Sequence, residues 1–344
     1  MDNRDDDGRN GHQPLRRKVI KSLGTAAVAG LASTAAFPFI RNANAAKIVP
    51  IRFGLQNTFT GAAAVVWSRR KIYEKRGLQV ESYKFADGRG VRDAMLAGKV
   101  DFGTMNLTPF FVGAGAGNFT LIAFVLLGGD TVGCMARPGI NKLSDLKGKN
   151  VSITVGSTTG PVFVHQVAPK LGLPENSYRI VNLTPENQLP ALVAGSIDAF
   201  AGPEPFLTLG EQQKAGKVLV RFGKYDANPT ALVVNTSFLK EHPETVNAFL
   251  VSWLDGVKYW NTNLNGAAQA LLDMYKESGY NALTLPLVEK LVRYPKVVPD
   301  ITPELITYMK HQAEILYKAG SLKKLPDWDK VIRADLVQKA RASA

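Results

Sequence analysis

Cysteine is nearly absent: Cys134 stands alone in 344 residues. A single thiol excludes an internal disulfide even in an oxidising compartment, and excludes cysteine-rich zinc or iron sites. It lies in the apolar run "TVGCMAR", which reads as a buried structural thiol. Histidine is scarce too, with four residues. His165, His242 and His311 fall on separate predicted helices or helix starts, so neither a metal cluster nor a Ser-His-Asp set is legible. Beyond residue 45 no apolar run is long enough to cross a bilayer as a helix. The net charge is +13, yet dense basic runs and basic-aromatic motifs are missing, so the chain reads as a basic soluble surface and not as a nucleic-acid binder. "GAGAG" (113–117) lacks the third glycine of a dinucleotide fingerprint and ends a helix instead of opening one.

What is present begins with an export signal. Arg16-Arg17-Lys18-Val19-Ile20-Lys21 precedes an uncharged run, Ser22 to Ile40, and the small-x-small site Ala43-Asn44-Ala45. A basic start, a mildly apolar middle and a small-residue cleavage site are the three parts of a secretory signal, and the arginine pair points to the twin-arginine route. Cleavage is expected after Ala45, with the mature chain in the periplasm. The alternative is an uncleaved anchor. Seven Lys or Arg and four Asp precede Ala46, so the remainder carries +10.

From Ala46 the chain alternates. "KIVPIRFGLQ" and "LQVESYKF" have strand periodicity, and "AAAVVWSRRKIYEKRG" has helical spacing that stops at Gly77. The same rhythm restarts after "INKLSDLKGK", through strand "NVSITV", loop "GSTTG" and helix "PVFVHQVAPKLG". Two α/β units with parallel sheets flanked by helices are predicted. From Glu244 long amphipathic helices take over. Val246, Phe249, Leu250, Trp253, Leu254 and Val257 share one face, so Trp253 is assigned to the core, and the helical tail is expected to cover the first unit.

A near-repeat links the units. "MLAGKVDFGTMNLTPF" (95–110) returns as "LVAGSIDAFAGPEPF" (192–206), with Gly98 to Asp101 matching Gly195 to Asp198. Each copy reads as a strand, a polar loop and a proline at a helix start. In parallel sheets ligands gather beyond the carboxyl ends of strands, so each unit offers the same kind of loop to a shared space.

Taken in order, "IRFGLQ", "AGKVDFGTMNLTP", "INKLSDLKGKNVSITVGSTTG", "AGSIDAFAGPEPF" and "ALVVNTSFLKEHPETVNAFL" resemble the periplasmic substrate-binding proteins of ABC importers, in the family serving aliphatic sulfonates, taurine, nitrate and thiamine-pyrimidine precursors. The resemblance spans residues 48 to 260. It implies the two-lobed type II fold, with lobe 1 formed by 46–137 and 230–344 including the C-terminal helices, and lobe 2 by 138–229. Crossovers would lie near Thr131 to Pro138 and Pro229 to Ser237. It further implies a monomer without catalytic activity or cofactor, which binds a small organic solute and hands it to ABC permease subunits. Sulfonate or taurine-like compounds lead. A thiamine-pyrimidine precursor or other heterocycle, a pyrimidine-synthesising enzyme of the same fold, and a sensory subunit are the alternatives.

The cleft loops implied by the resemblance carry Gln56, Asn57, Thr58, Arg89, Thr104, Asn106, Ser157, Thr158, Thr159, Glu204 and Phe206 as ligand-binding residues. Ser157-Thr158-Thr159-Gly160, between a strand and a helix, joins hydroxyl donors to the free N–H groups of a helix start, which favours an anion or polar oxygen. Simple helix capping is the plainer reading of the same residues. Arg89 could pair with an acidic ligand or sit in a solvated turn. Glu204, in "PEP", could receive an amine or hydroxyl, or only complement the helix dipole. His165 follows the "GSTTG" loop closely and reads as a packing or capping histidine.

Overall fold

The structure, a computed structural model, describes residues 48–344; the expected export signal and its cleavage point lie outside the described residues. Strands and helices alternate from the start: β1 (Ile51–Gln56), α1 (Ala62–Arg69), β2 (Val80–Phe85), α2 (Gly88–Leu96), β3 (Phe102–Asn106), α3 (Leu107–Gly115) and β4 (Phe119–Leu127). The second series is β5 (Val132–Ala136), β6 (Asn150–Ile153), then α4 (Thr159–Val162), one π turn (Phe163–Val167) and α5 (Ala168–Lys170) in unbroken succession. The π turn precedes Pro169, whose missing N–H interrupts the normal helical ladder. β7 (Arg179–Asn182), α6 (Pro185–Val193), β8 (Ala199–Pro203), α7 (Phe206–Gln212) and β9 (Lys217–Arg221) complete it.

The two sheets follow one plan. Their strand orders are β2-β1-β3-β10-β4, where β10 is Pro229–Asn235, and β7-β6-β8-β5-β9. In each, one strand runs against its neighbours: β10 is antiparallel to β3 and β4, and β5 to β8 and β9. The reversed strand is in both cases the first one laid down after the chain crosses from the other sheet. Pairing thus puts Val132–Ala136 in the second sheet, and corrects the expected change of sheet at residue 137 to the turn 128–131. Periodicity identifies this strand but carries no information on which sheet it joins. The return crossing, 222–228, lies beside the first. Gly128 N–H donates to Asn228 O at 3.2 Å, and a Cβ on Gly129 would stand 2.3 Å from Asp226 O.

The near-repeat has a structural task in both sheets. Asp101 accepts the N–H of Arg52 in β1 at 3.0 Å and pairs with the Arg52 guanidinium at 2.5 Å. Asp198 accepts the N–H of Asn150 in β6 at 2.8 Å and pairs with Arg137 at 2.6 Å. Each carboxylate therefore pins its central strand to the neighbouring parallel strand. The preceding glycines take the left-handed turn that leads into it, with φ +65° at Gly98 and +74° at Gly195.

The tail, α8 (Thr236–Glu241), α9 (Pro243–Thr262), α10 (Leu264–Glu277), α11 (Leu285–Leu291), α12 (Pro303–Lys318), α13 (Trp328–Val331) and α14 (Ala334–Ala342), covers the first sheet. Trp67 and Trp253 are both buried, with Trp67 Nε1 donating to Ser252 O at 3.0 Å, and Phe249 stacks on Phe102 at 4.2 Å between ring centres. The edge of β4, apolar on both faces, is closed by Arg333 N–H donating to Leu121 O at 3.0 Å. Cys134 is buried in β5, and burial pushes its thiol well above the ordinary range.

Removing either pin, by Asp101→Ala or Asp198→Ala, is expected to lower stability by about 1.5–3 kcal/mol, the usual worth of a charged hydrogen bond. The pins serve separate sheets, so the double variant should sum the two losses in urea unfolding; strong non-additivity would show that the strands are not pinned independently.

A second expectation concerns the crossing. Asp226 is buried, accepting Asn228 N–H at 2.6 Å and the Tyr308 hydroxyl of α12. Burial raises its carboxyl above the ordinary carboxylate value, and these hydrogen bonds pull part of the way back. A carboxyl raised on folding contributes stability that is present below its unfolded pKa and lost as pH rises through the folded value. Wild type should thus gain stability relative to Asp226→Asn as pH falls from neutral towards the ordinary carboxylate range. Denaturant midpoints across that window check it, and a gain in the opposite direction refutes it.

Candidate functional site

Loops from both sheets converge on one narrow cleft, with ≈ 30 Å³ of free space, room for a water or two. Gln56, Thr58 and Thr60 enter it after β1, Asp87 and Gly88 after β2, and Asn106 and Pro109 at the end of β3. From the second sheet come Thr154, Ser157, Thr158 and Thr159 after β6, Pro185 after β7, and Ala201 and Pro203 of β8. All these positions lie at carboxyl ends of like-running strands, and four of the loops lead directly into the helices α2, α3, α4 and α6. First-turn N–H groups have no partner within their own helix, so the cleft is bordered by four partial positive charges.

Nine of the fourteen lining residues have polar side chains, although the surface they leave open to the cleft is mostly apolar, and charge is almost absent. Asp87 is its one ionisable group, and both its oxygens are engaged: Oδ1 accepts the N–H groups of Arg89 and Gly90 at 2.8 and 3.1 Å, and Oδ2 accepts the Arg89 guanidinium at 2.8 Å. The remaining polar groups are hydroxyls and amides. Gln56 Nε2 donates to Thr60 Oγ1 at 3.1 Å, Thr58 and Thr60 hydroxyls share a bond of 2.8 Å, and Asn106 Nδ2 donates to Asn228 Oδ1 at 3.1 Å and Thr230 Oγ1 at 3.3 Å. Hydroxyl donors beside helix starts suit an oxyanion or polar oxygen.

The two halves touch directly across this space. Phe59 N–H donates to Glu204 O at 3.1 Å, Thr108 N–H to Thr158 Oγ1 at 2.9 Å, and Arg89 Nη1 to Val155 O at 2.7 Å. Farther out, Gln166 and Gln312 pair through their amides at 2.7 Å.

Six residues read from sequence, Gln56, Thr58, Asn106, Ser157, Thr158 and Thr159, line the cleft together. Five do not. Asn57 contributes a backbone N–H to Phe85 O at 2.9 Å, and Thr104 is buried behind Gln56, whose N–H points to its hydroxyl at 3.4 Å. Arg89 is spent on Asp87 and Val155. Phe206 packs edge-on against Tyr280 at 5.5 Å.

Glu204 is the clearest correction. Its buried carboxylate accepts Thr208 N–H at 3.0 Å, Thr208 Oγ1–H at 3.1 Å and Arg221 Nη2 at 2.7 Å, so it faces its own helix and β9 instead of the cleft. The acid at a helix start was legible; the arginine that neutralises it, two elements later, was not. Of the alternatives for Ser157 and Thr158, Ser157 does cap, accepting Gly160 N–H at 3.4 Å, whereas Thr158 receives its bond from the other half. His165 stands outside the cleft, its Nδ1 2.9 Å from Glu175 Oε1.

Asp87 and Gly88, in the expected cleft loop 87–90, Pro203, in the expected loop 202–206, and Pro109 of the near-repeat also line the cleft, as do Thr60, Thr154, Pro185 and Ala201, which were not singled out. Pro185 and Thr154 had a signal, a proline at a helix start and a threonine ending a strand. Ala201 had none. Among the described residues no group of three His, Cys, Asp or Glu side chains could hold a metal ion.

The family pattern described as NMT1/THI5 like matches residues 63–263. A protein of Bacillus subtilis strain 168 named for binding aliphatic sulfonates is 27% identical over 302 residues, covering 86% of this chain and 89% of its own. The taurine-binding periplasmic protein of Escherichia coli K12 is 27% identical over 272 residues, covering 76% and 79%. Among solved structures, the alkanesulfonate-binding protein SsuA from Xanthomonas axonopodis pv. citri, bound to MOPS, superposes with a TM-score of 0.74 at 18% identity, over 84% of this chain and 99% of its own. The fold is the two-lobed α/β architecture of such periplasmic binding proteins, and the chain belongs to the NMT1/THI5-like family.

Proposed function

We propose that this protein is the solute-binding component of an ABC importer, acting as a periplasmic monomer after export with cleavage behind Ala45. It closes on a small organic oxyanion, of the sulfonate or taurine type, and presents it to the permease. The two sheets with their helices are the lobes, 132–228 and the remainder from Ala46, and the paired crossings at 128–131 and 222–228 form the hinge. The observation that carries this reading is the cleft itself: hydroxyls and helix starts from both sheets around a space too small to admit such a solute unless the lobes part. The names of the relatives support the same solute class.

Affinity follows from few contacts. Two or three hydrogen bonds to a charged group, at roughly 1.5–3 kcal/mol each, approach the ~8 kcal/mol of micromolar binding before ordering costs, so apolar burial must supply the rest. A thermal-shift screen over sulfonates, taurine, nitrate, pyrimidines and aromatic acids identifies the class; a ligand at a hundred times its Kd adds ~2.7 kcal/mol of stability. With the best ligand, Thr58→Val in one lobe and Thr159→Val in the other are each expected to weaken binding roughly ten- to hundredfold by calorimetry, and His165→Ala to leave it unchanged. Loss confined to one lobe would refute the closing cleft, and turnover of the solute would refute the transport reading.

A further inference from the structure

The end of the second sheet that faces away from the cleft is strongly basic. Register brings one terminal residue of each strand to this end: Arg179, Asn150, Ala199, Ala136 and Lys217, across β7-β6-β8-β5-β9. The row spans four strand spacings, about 19 Å. Arg137 follows Ala136, Lys147 and Lys149 precede β6, and Lys214 precedes β9. Lys142 joins them through its neighbour Asn141, whose Oδ1 accepts from Lys217 Nζ at 3.2 Å. These cations are scattered in sequence and meet only through strand pairing.

Seven cations thus share one face with four carboxylates, Asp145, Glu175, Asp198 and Glu211, and each carboxylate is already engaged. Asp145 accepts the N–H groups of Asn141 and Lys142 at 3.1 and 3.2 Å, Glu211 accepts Val218 N–H at 3.2 Å, and Glu175 is held by His165 at 2.9 Å. Of the seven cations only Arg137 forms an ion pair among the described residues, with Asp198 at 2.6 Å. The corresponding end of the first sheet is arranged otherwise. There Arg52 is held by Asp101, and Lys330 and Arg333 of the adjoining tail are tied to Asp327 and Asp335 at 2.7 Å each.

The layout of the charges selects the partner. Cations spread along a row, and not gathered round one point, suit many separate head groups better than one polyvalent ion. Five of the seven are lysines, point charges on flexible stems without the planar fork that grips a phosphate bidentately. The one aromatic residue of these turns, Tyr178, is buried, so nucleic-acid bases would find nothing to stack on. Leu171, in the turn before β7, and Ile180, in β7 itself, are 38% and 49% exposed beside the charges, which suits the boundary between head groups and acyl chains.

We propose that this face docks on a bilayer surface rich in anionic phospholipid, with the cleft at the opposite end of the sheet and unobstructed. For a receptor that serves a permease, such attachment turns the search for it from three dimensions to two. The inference stands on the charge layout and does not depend on what the cleft binds.

The test is co-sedimentation of the protein from Ala46 onward, which carries every described element, with vesicles of phosphatidylglycerol and phosphatidylcholine in equal parts at low salt. Binding is expected there, but not to pure phosphatidylcholine, and not at about 1 M salt, where the Debye length falls to ~3 Å. The variant Lys142→Gln/Lys147→Gln/Lys149→Gln/Lys217→Gln should bind about a hundredfold or more weakly, at roughly fivefold per charge. A charge-matched control, Lys240→Gln/Lys290→Gln/Lys310→Gln/Lys318→Gln, removes four exposed lysines of the tail helices and should stay within about threefold of wild type. Urea midpoints, expected to match wild type in both, separate lost binding from lost folding. Failure of wild type to bind the anionic vesicles, equal loss in the two variants, or binding indifferent to salt or to head-group charge overturns the proposal and leaves the cleft reading intact.

Discussion

The architecture around the cleft depends on a charge that cannot be buried alone. The Glu204 carboxylate is inaccessible to water, and removing the partner of such a group costs about 3–5 kcal/mol. Arg221 supplies the counter-charge from β9, and the same guanidinium donates to Asp130 O at 2.7 Å in the first crossing and lies 4.7 Å from the centre of the Tyr294 ring. Through its backbone, Glu204 donates to Thr131 O at 2.8 Å and accepts from Phe59 N–H at 3.1 Å. One ion pair therefore joins β8, β9, the first crossing, the tail and the first cleft loop. Solvent reaches Arg221 in part, so screening tempers its strength, but the geometry it imposes extends to both lobes.

The symmetry of the two sheets follows from simpler rules. A chain that crosses to another sheet through a short turn enters it from the opposite end, and the first strand it forms there runs backwards. That is why β5 and β10 occupy equivalent places. The alternation of elements, the two α/β units and the core role of Trp253 were legible because burial on one face imprints a period on the sequence. The near-repeat was legible as well, but its meaning was divided. Its glycine and aspartate serve the pinning of strands, and residues later in each copy, Asn106 and Pro109 in the first and Ala201 and Pro203 in the second, reach the cleft.

What the sequence does not display is contact between residues far apart in the chain. Thr158 and Arg89 carry the chemistry of ligand groups, yet they bond to Thr108 and Val155 of the opposite halves. Glu204 could be read as a ligand group or as a helix-start acid, because its counter-charge arrives from β9 and not from its neighbours in sequence. Ala201 and Pro203 line the cleft by position alone. In each case the residue type names a capability, and only the packing of two sheets against each other decides where that capability is used.

The near neutrality of the cleft bears on how such a protein signals. A ligand shifts an open–shut equilibrium only by its difference in affinity for the two forms. Direct bonds between the lobes, such as Thr158 with Thr108 and Arg89 with Val155, favour the shut form regardless of ligand. At about 0.5–1.5 kcal/mol each, a handful of them is comparable to the few kcal/mol that separate conformations in switching proteins. The Asp87–Arg89 pair also cancels the one full charge beside the cleft, so the proposed oxyanion would meet only hydroxyls, amides and helix starts. Those donors come from both lobes and converge only when the lobes meet, whereas a free arginine on one lobe would hold the anion nearly as well in the open form. Under the proposed function, neutral donors divided between the halves would confine the ligand's stabilisation to closure, the condition under which shutting reports that the cleft is filled.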